Sequence, residues 1–120
     1  MFNCDKVYLD NCKYGKGVFA RTDIKKGSII EKGIVAPYDN IDGENIPHLL
    51  TWSDDKKTWG IATGLIMWYN HSDNPNAKKM GDLKNNTLEV VALTDIKKGD
   101  EIFTKYMSAK WRKCFKNLGN

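Results

Sequence analysis

The chain has 120 residues, of which 41% are hydrophobic and 28% charged, and a formal net charge of +4. That size and mix describe one folded domain with a modest core and exclude a disordered tail. No apolar run reaches the length of a membrane span, so no membrane partner is expected.

The opening stretch, MFNCDKVYLDNCK, lacks the apolar core of a signal peptide. We therefore expect an intracellular protein, in the cytoplasm or, in a eukaryotic host, the nucleus. The cysteines are Cys4, Cys12 and Cys114, with no C-x-x-C pair, and the only histidines are His48 and His71. Free thiols and no metal site are expected.

Strand signals come first in chain order. KVYLD (6–10) alternates apolar and polar residues, and GVFAR (17–21) and SIIEKGIVA (28–36) are rich in β-branched and aromatic residues. PYDNIDGENIP (37–47) reads as a loop, and SDDKKTWG (53–60) as an exposed turn. TGLIMWYNHS (63–72) is apolar enough to be buried, as a strand or a short helix. SDNPNAKKMGDLKNN (72–86) reads as a second loop, and TLEVVAL (87–93) and DEIFTKY (100–106) as strands. Trp111 and Phe115 near the end are spaced for one face of a short helix.

The hexapeptide TDIKKG occurs at 22–27 and again at 94–99. Two copies make no solenoid. Each lies between two strands, and its Lys-Lys-Gly end reads as a turn, so we expect two similar β-corners rather than a duplicated site. Charge is uneven: residues 61–120 carry ten basic and six acidic groups, and from Lys105 onward there are five basic residues and no acidic one. A solvated Lys-rich end is the plain reading, and contact with nucleic acid is a minor alternative.

Three stretches offer chemistry. In YGKGVFA (14–20) a Gly-x-Gly lets the backbone approach a ligand, although two such glycines more often make a plain turn. No third glycine and helix follow, so this is not a dinucleotide fingerprint. In WYNHSDNPNA (68–77) an Asn-His-Ser run stands in an apolar setting where buried polar groups must find partners. DIKKGDEIFTKYM (95–107) leads to Tyr106, which combines an apolar ring with a hydroxyl that donates and accepts.

In order and spacing these stretches resemble the SET-domain protein lysine methyltransferases, especially the minimal stand-alone viral and bacterial members. The matching residues are Gly15-Lys16-Gly17, Asn70-His71-Ser72 with Pro75-Asn76, and Gly99-Asp100-Glu101 leading to Tyr106. The likeness spans about residues 7–106, within a single domain of 1–120 whose last segment, 107–120, is basic. It implies a mostly β fold (the β-clip) of several small curved sheets, with little helix and a knot-like threading near the C-terminus. It implies S-adenosylmethionine as methyl donor and the ε-amine of a lysine in a protein substrate, histone or other, as acceptor. Lys16, Gly17, Asn70, His71 and Tyr106 would contact the cofactor, and Tyr106 would sit where the methyl group crosses. Tyr14, Trp52 and Tyr69 are candidate walls of the substrate channel.

The chain also departs from the family pattern. Met67 stands where an arginine is usual, Asp73 where many members have a zinc-binding cysteine, Lys105 where a small or acidic residue is common, and Lys110 where an aromatic often lines the channel. We therefore expect no zinc, and a lid formed by Trp111 and Phe115 or by a second subunit in a homodimer. The alternative function is a non-catalytic SET-like module that binds protein or peptide.

Overall fold

The computed structural model describes residues 4–13, 15–46, 48–53 and 55–106. Among these residues, nine strands form three small sheets. Strands β1 (Val7–Cys12) and β2 (Gly15–Ala20) make an antiparallel hairpin, pairing Val7 with Ala20 and Cys12 with Gly15. The largest sheet has five strands in the order β4-β5-β3-β8-β7. These are β3 (Ile29–Tyr38), β4 (Leu50–Thr51), β5 (Trp59–Ala62), β7 (Ala77–Asp82) and β8 (Thr87–Ala92). The third sheet is a short parallel pair, β6 (Asn70–His71) and β9 (Phe103–Thr104). Among the described residues, helix is confined to two 3₁₀ turns, Gly43–Asn45 and Ile66–Trp68. No helix among the described residues is long and apolar enough to cross a membrane.

Alternation places the core. Along β8 Leu88, Val90 and Ala92 point inward while their neighbours are half-exposed, the period-2 signature of a one-sided strand. They pack with Val18, Ile30, Val35, Ile66 and Ile102. β3 departs from that period at one point. Its register with β8 shifts between Ile29 and Glu31, and Ile30 and Glu31 are both buried in succession. A β-bulge re-aims a side chain in this way, and here it turns a carboxylate inward.

The two TDIKKG copies pair with each other. Ile24 and Ile96 form an antiparallel bridge and exchange both backbone hydrogen bonds at 2.8 Å. The flanking contacts are reciprocal. The Lys26 N–H donates to the Asp95 carboxylate (2.8 Å) and the Lys98 N–H to the Asp23 carboxylate (2.9 Å). The Gly27 N–H donates to the Ala92 carbonyl and the Gly99 N–H to that of Ala20, each at 2.8 Å. Both glycines have positive φ, +87° and +91°, which explains why each copy ends on glycine. The repeat is thus a local pseudo-twofold clasp that joins the β2 side of the chain to its C-terminal strands. Asp23→Ala and Asp95→Ala are each expected to lower stability by about 1 kcal/mol. Urea unfolding should show similar losses, since each carboxylate accepts one backbone N–H across the clasp.

Two stretches differ from their sequence reading. Residues 77–82, read as loop, form β7, and 59–62, read in part as turn, form β5. The apolar stretch 63–72 contains both a 3₁₀ turn and the short strand β6.

Candidate active site

Three segments distant in sequence meet at the parallel pair. Asn70 lies opposite Phe103 and His71 opposite Thr104, and the Ser72 N–H continues the ladder to the Thr104 carbonyl (3.0 Å). Asn76 completes it with a side chain in place of a strand. Its Nδ2 donates to the Glu101 carbonyl (3.0 Å), and its Oδ1 accepts the Phe103 N–H (2.8 Å). The Asn-His-Ser and Pro-Asn segments therefore hold the stretch leading to Tyr106 from two directions.

Asn70 ties this pair to the hairpin. Its Nδ2 donates toward the Lys16 carbonyl (3.0 Å), Glu101 Oε2 (2.9 Å) and Cys12 Sγ (3.3 Å). The Lys16 ammonium turns away to Asn11 Oδ1 (2.6 Å), so Lys16 contributes its carbonyl here. Gly17 is required for this approach. A Cβ on it would lie 2.5 Å from Glu101 Oε2, 3.0 Å from Asn70 Nδ2 and 3.1 Å from Cys12 Sγ. Those are ends of side chains, which can shift without unfolding the strand. Gly17→Ala is therefore expected to keep the fold but displace the Asn70 amide, weakening a ligand held there about tenfold or more. Calorimetric titration of the variant against wild type checks this.

The His71 ring is committed at both nitrogens. Nδ1 accepts the Tyr106 N–H (2.9 Å), so the proton resides on Nε2, which donates to Asp73 Oδ1 (3.0 Å). The imidazole is a positioning group for the Tyr106 backbone. Tyr106 is then fixed at its other end: its hydroxyl donates to the Tyr69 carbonyl at 2.5 Å. The His71 and Tyr106 rings stand 5.2 Å apart, tilted by 58°.

Beneath Tyr106 lies a buried pair absent from the sequence expectations. The Tyr69 ring has no exposed surface, and its hydroxyl donates to Glu31 Oε1 (2.8 Å). Glu31, 1% exposed, also accepts the Leu65 N–H at Oε2 (2.7 Å). Burial pushes the Glu31 carboxyl above its ordinary range, against the opposing pull of those two donors and of the Lys79 ammonium. Burial, with the adjacent Glu31 charge, pushes the Tyr69 phenol well above its usual range, so the phenol stays protonated. The Lys79 ammonium lies over both tyrosines, 5.9 Å from the Tyr69 ring centre and 5.8 Å from that of Tyr106.

Of the expected site residues, Lys16, Gly17, Asn70, His71 and Tyr106 are linked by this network, and Tyr69 adjoins Tyr106. Trp52 belongs to the same buried cluster as Tyr69. It is a core residue packed over Gly81, with its indole N–H bonded to Asn86 Oδ1 (2.9 Å). Tyr14, Lys110, Trp111 and Phe115 lie outside the described residues. Lys105 is exposed while Tyr106 is half-buried, as opposite faces of an extended segment require. No group of three or more metal-ligating side chains is gathered among the described residues. Glu31 and Lys79 were missed. The signal for Glu31 was available: a lone carboxylate within the apolar run SIIEKGIVA either faces solvent or is bonded inside.

Comparison with known proteins agrees with this geometry. The SET domain family model matches residues 15–107. The crystal structure of a Plasmodium falciparum "putative histone methyltransferase" is similar at 31% identity over 85% of this chain and 97% of that one, with a TM-score of 0.70. ctPRC2 in an autoinhibited conformation bound to S-adenosylmethionine is similar at 23% identity over 88% of this chain and 16% of that one, with a TM-score of 0.68. A second ctPRC2 structure has a TM-score of 0.71 at 20% identity, over 89% of this chain and 15% of that one. At such identity the ctPRC2 structures bear on the fold alone. No curated protein sequence matches this chain. The matched span begins at the glycine pair of β2 and ends just past Tyr106, so it contains every segment that meets at the parallel pair, and the chain belongs to the SET-domain family.

Proposed function

We propose that the protein transfers a methyl group from S-adenosylmethionine to the ε-amine of a lysine in a protein substrate. The observation that carries this reading is the doubly anchored Tyr106, held by His71 at its backbone and by Tyr69 at its hydroxyl. Membership of the SET family and likeness to a protein described as a histone methyltransferase support a methyltransferase. S-adenosylmethionine is the donor that membership of this family implies.

The residues present fit such a cofactor. The Asn70 amide nitrogen is committed to protein acceptors, while among the described residues its Oδ1 accepts no hydrogen bond. That oxygen, beside the Gly17 backbone, suits the ammonium of an amino-acid moiety. When bound, the cofactor supplies an electron-poor methyl on a sulfonium. Tyr106 donates its proton to the Tyr69 carbonyl, which orients its oxygen; that oxygen would hold the methyl by weak C–H···O contacts. The half-buried Tyr106 ring, fixed at both ends, would present an apolar face to the acceptor. The sulfonium charge of the bound cofactor would disfavour the charged form of an acceptor amine, whose reference pKa is about 10.4, and so favour the nucleophile. Alignment of donor and acceptor removes much of the entropic barrier.

Titration with S-adenosylmethionine, followed by incubation of labelled cofactor with a library of lysine peptides, tests the reading. Label on peptide supports it. Cofactor binding with no transfer to any peptide would instead identify a non-catalytic SET-like binding module.

A further inference from the structure

We propose that Lys79 is an internal occupant of the acceptor-lysine position, a specificity-determining residue that an incoming substrate lysine must displace. The proposal rests on the methyltransferase reading above and adds what governs entry to that site.

Lys79 belongs to β7, an edge strand, and lies within 6 Å of the centres of two tyrosine rings at once. Tyrosines grouped about one ammonium attract it by their ring faces, as aromatic cages do. One of these rings is Tyr106, assigned here to the transfer; the other, Tyr69, provides the carbonyl that anchors it. The Glu31 carboxylate below Tyr69 adds attraction for the Lys79 charge. The site therefore already holds the chemical group its substrate would bring. Two ammonium groups cannot share one pair of rings, since like charges repel strongly away from bulk water. Lys79 is half-exposed on a sheet edge, and its four-carbon stem can carry the charge out to solvent. Substrate entry then includes the loss of the Lys79 contacts, a cost that falls on binding rather than on the step that forms the N–C bond.

The test compares wild type with Lys79→Met, which keeps the stem and loses the charge, and Lys79→Arg, which keeps a cation. Methionine is expected to lower the KM for a lysine peptide about tenfold, and arginine to leave it within about twofold of wild type. Melting curves confirm that the variants fold. An unchanged or raised KM with methionine, or an effect confined to kcat, overturns the proposal. A second readout needs no catalysis. In protein with ¹³C-labelled lysine, the Lys79 ε resonance should be shifted upfield by the rings and return to its ordinary position as a lysine peptide saturates the site. An ordinary position in the free protein, or a shift that peptide does not relieve, also overturns it. Displacement by peptide in a protein that methylates nothing leaves the occupancy standing and removes the methyltransferase reading.

Discussion

Glu31→Ala is expected to lower the unfolding free energy by about 3–5 kcal/mol, the combined cost of two orphaned buried donors and the cavity left by the side chain. The wild-type carboxylate accepts from the Leu65 N–H and the Tyr69 hydroxyl in a site from which water is excluded. Alanine leaves both donors buried without a partner, at about 1–3 kcal/mol each, together with a cavity. Against the 5–15 kcal/mol that a domain of this size holds, the loss is large, and the melting temperature should fall by about 10–20 °C. Glu31→Gln separates the contributions. Glutamine fills the cavity and can accept the Leu65 N–H through its oxygen, but its amide meets the Tyr69 hydroxyl, whose proton loses its acceptor, so part of the stability should return. The pH dependence has a definite sign. Because burial raises the folded-state pKa of Glu31, its contribution is fully present below the ordinary glutamate pKa and is lost as pH rises through the raised value. The stability of wild type relative to Glu31→Gln should therefore fall as pH increases from about 4 toward neutrality. Urea unfolding of the two proteins across that range checks it.

Tyr106→Phe is expected to reduce kcat about 100-fold while cofactor affinity changes little. Phenylalanine retains the ring over which Lys79 lies and the backbone N–H that His71 accepts. It loses only the hydroxyl that reaches the Tyr69 carbonyl. The fold loses one hydrogen bond, worth about 1 kcal/mol. The transfer loses both the oxygen facing the methyl and the restraint that sets the ring in line, and a small misplacement of reacting groups costs about that factor in rate. Single-turnover transfer measured beside calorimetric cofactor binding distinguishes this outcome from a general loss of structure.

What the sequence made legible follows from how local each feature is. Asn70, His71 and Tyr106 stood in stretches whose residue order carries their family likeness, and the structure joins them through β6 and β9. The TDIKKG copies were recognisable as turns because glycine at positive φ is a local requirement. Their mutual pairing was not, since nothing within a hexapeptide says which distant segment Asp23 or Asp95 will cap. Strand β7 was hidden by composition. AKKMGD has no β-branched residue and two lysines, yet β8 pairs with it along its whole length, and lysines on an edge strand discourage further pairing. β5 was hidden by Gly60, whose missing side chain makes room for Val35 across the sheet. Trp52 was ambiguous in the sequence, because an aromatic suits a channel and a core equally well. Its contacts, with Gly81 beneath the ring and Asn86 on the indole nitrogen, are set by the fold and not by the local sequence. Glu31 depends on a β-bulge, which shifts the inward parity of β3 by one residue and cannot be read from strand periodicity.

The central claim is that this site moves a methyl group onto the ε-amine of lysine, and tandem mass spectrometry of a reacted lysine peptide tests it most directly. The peptide, incubated with the protein and S-adenosylmethionine, should gain methyl mass on the lysine ε-nitrogen, and Tyr106→Phe should slow that gain about 100-fold. Methyl groups found only on other residue types, or at equal rates with wild type and Tyr106→Phe, would contradict the account.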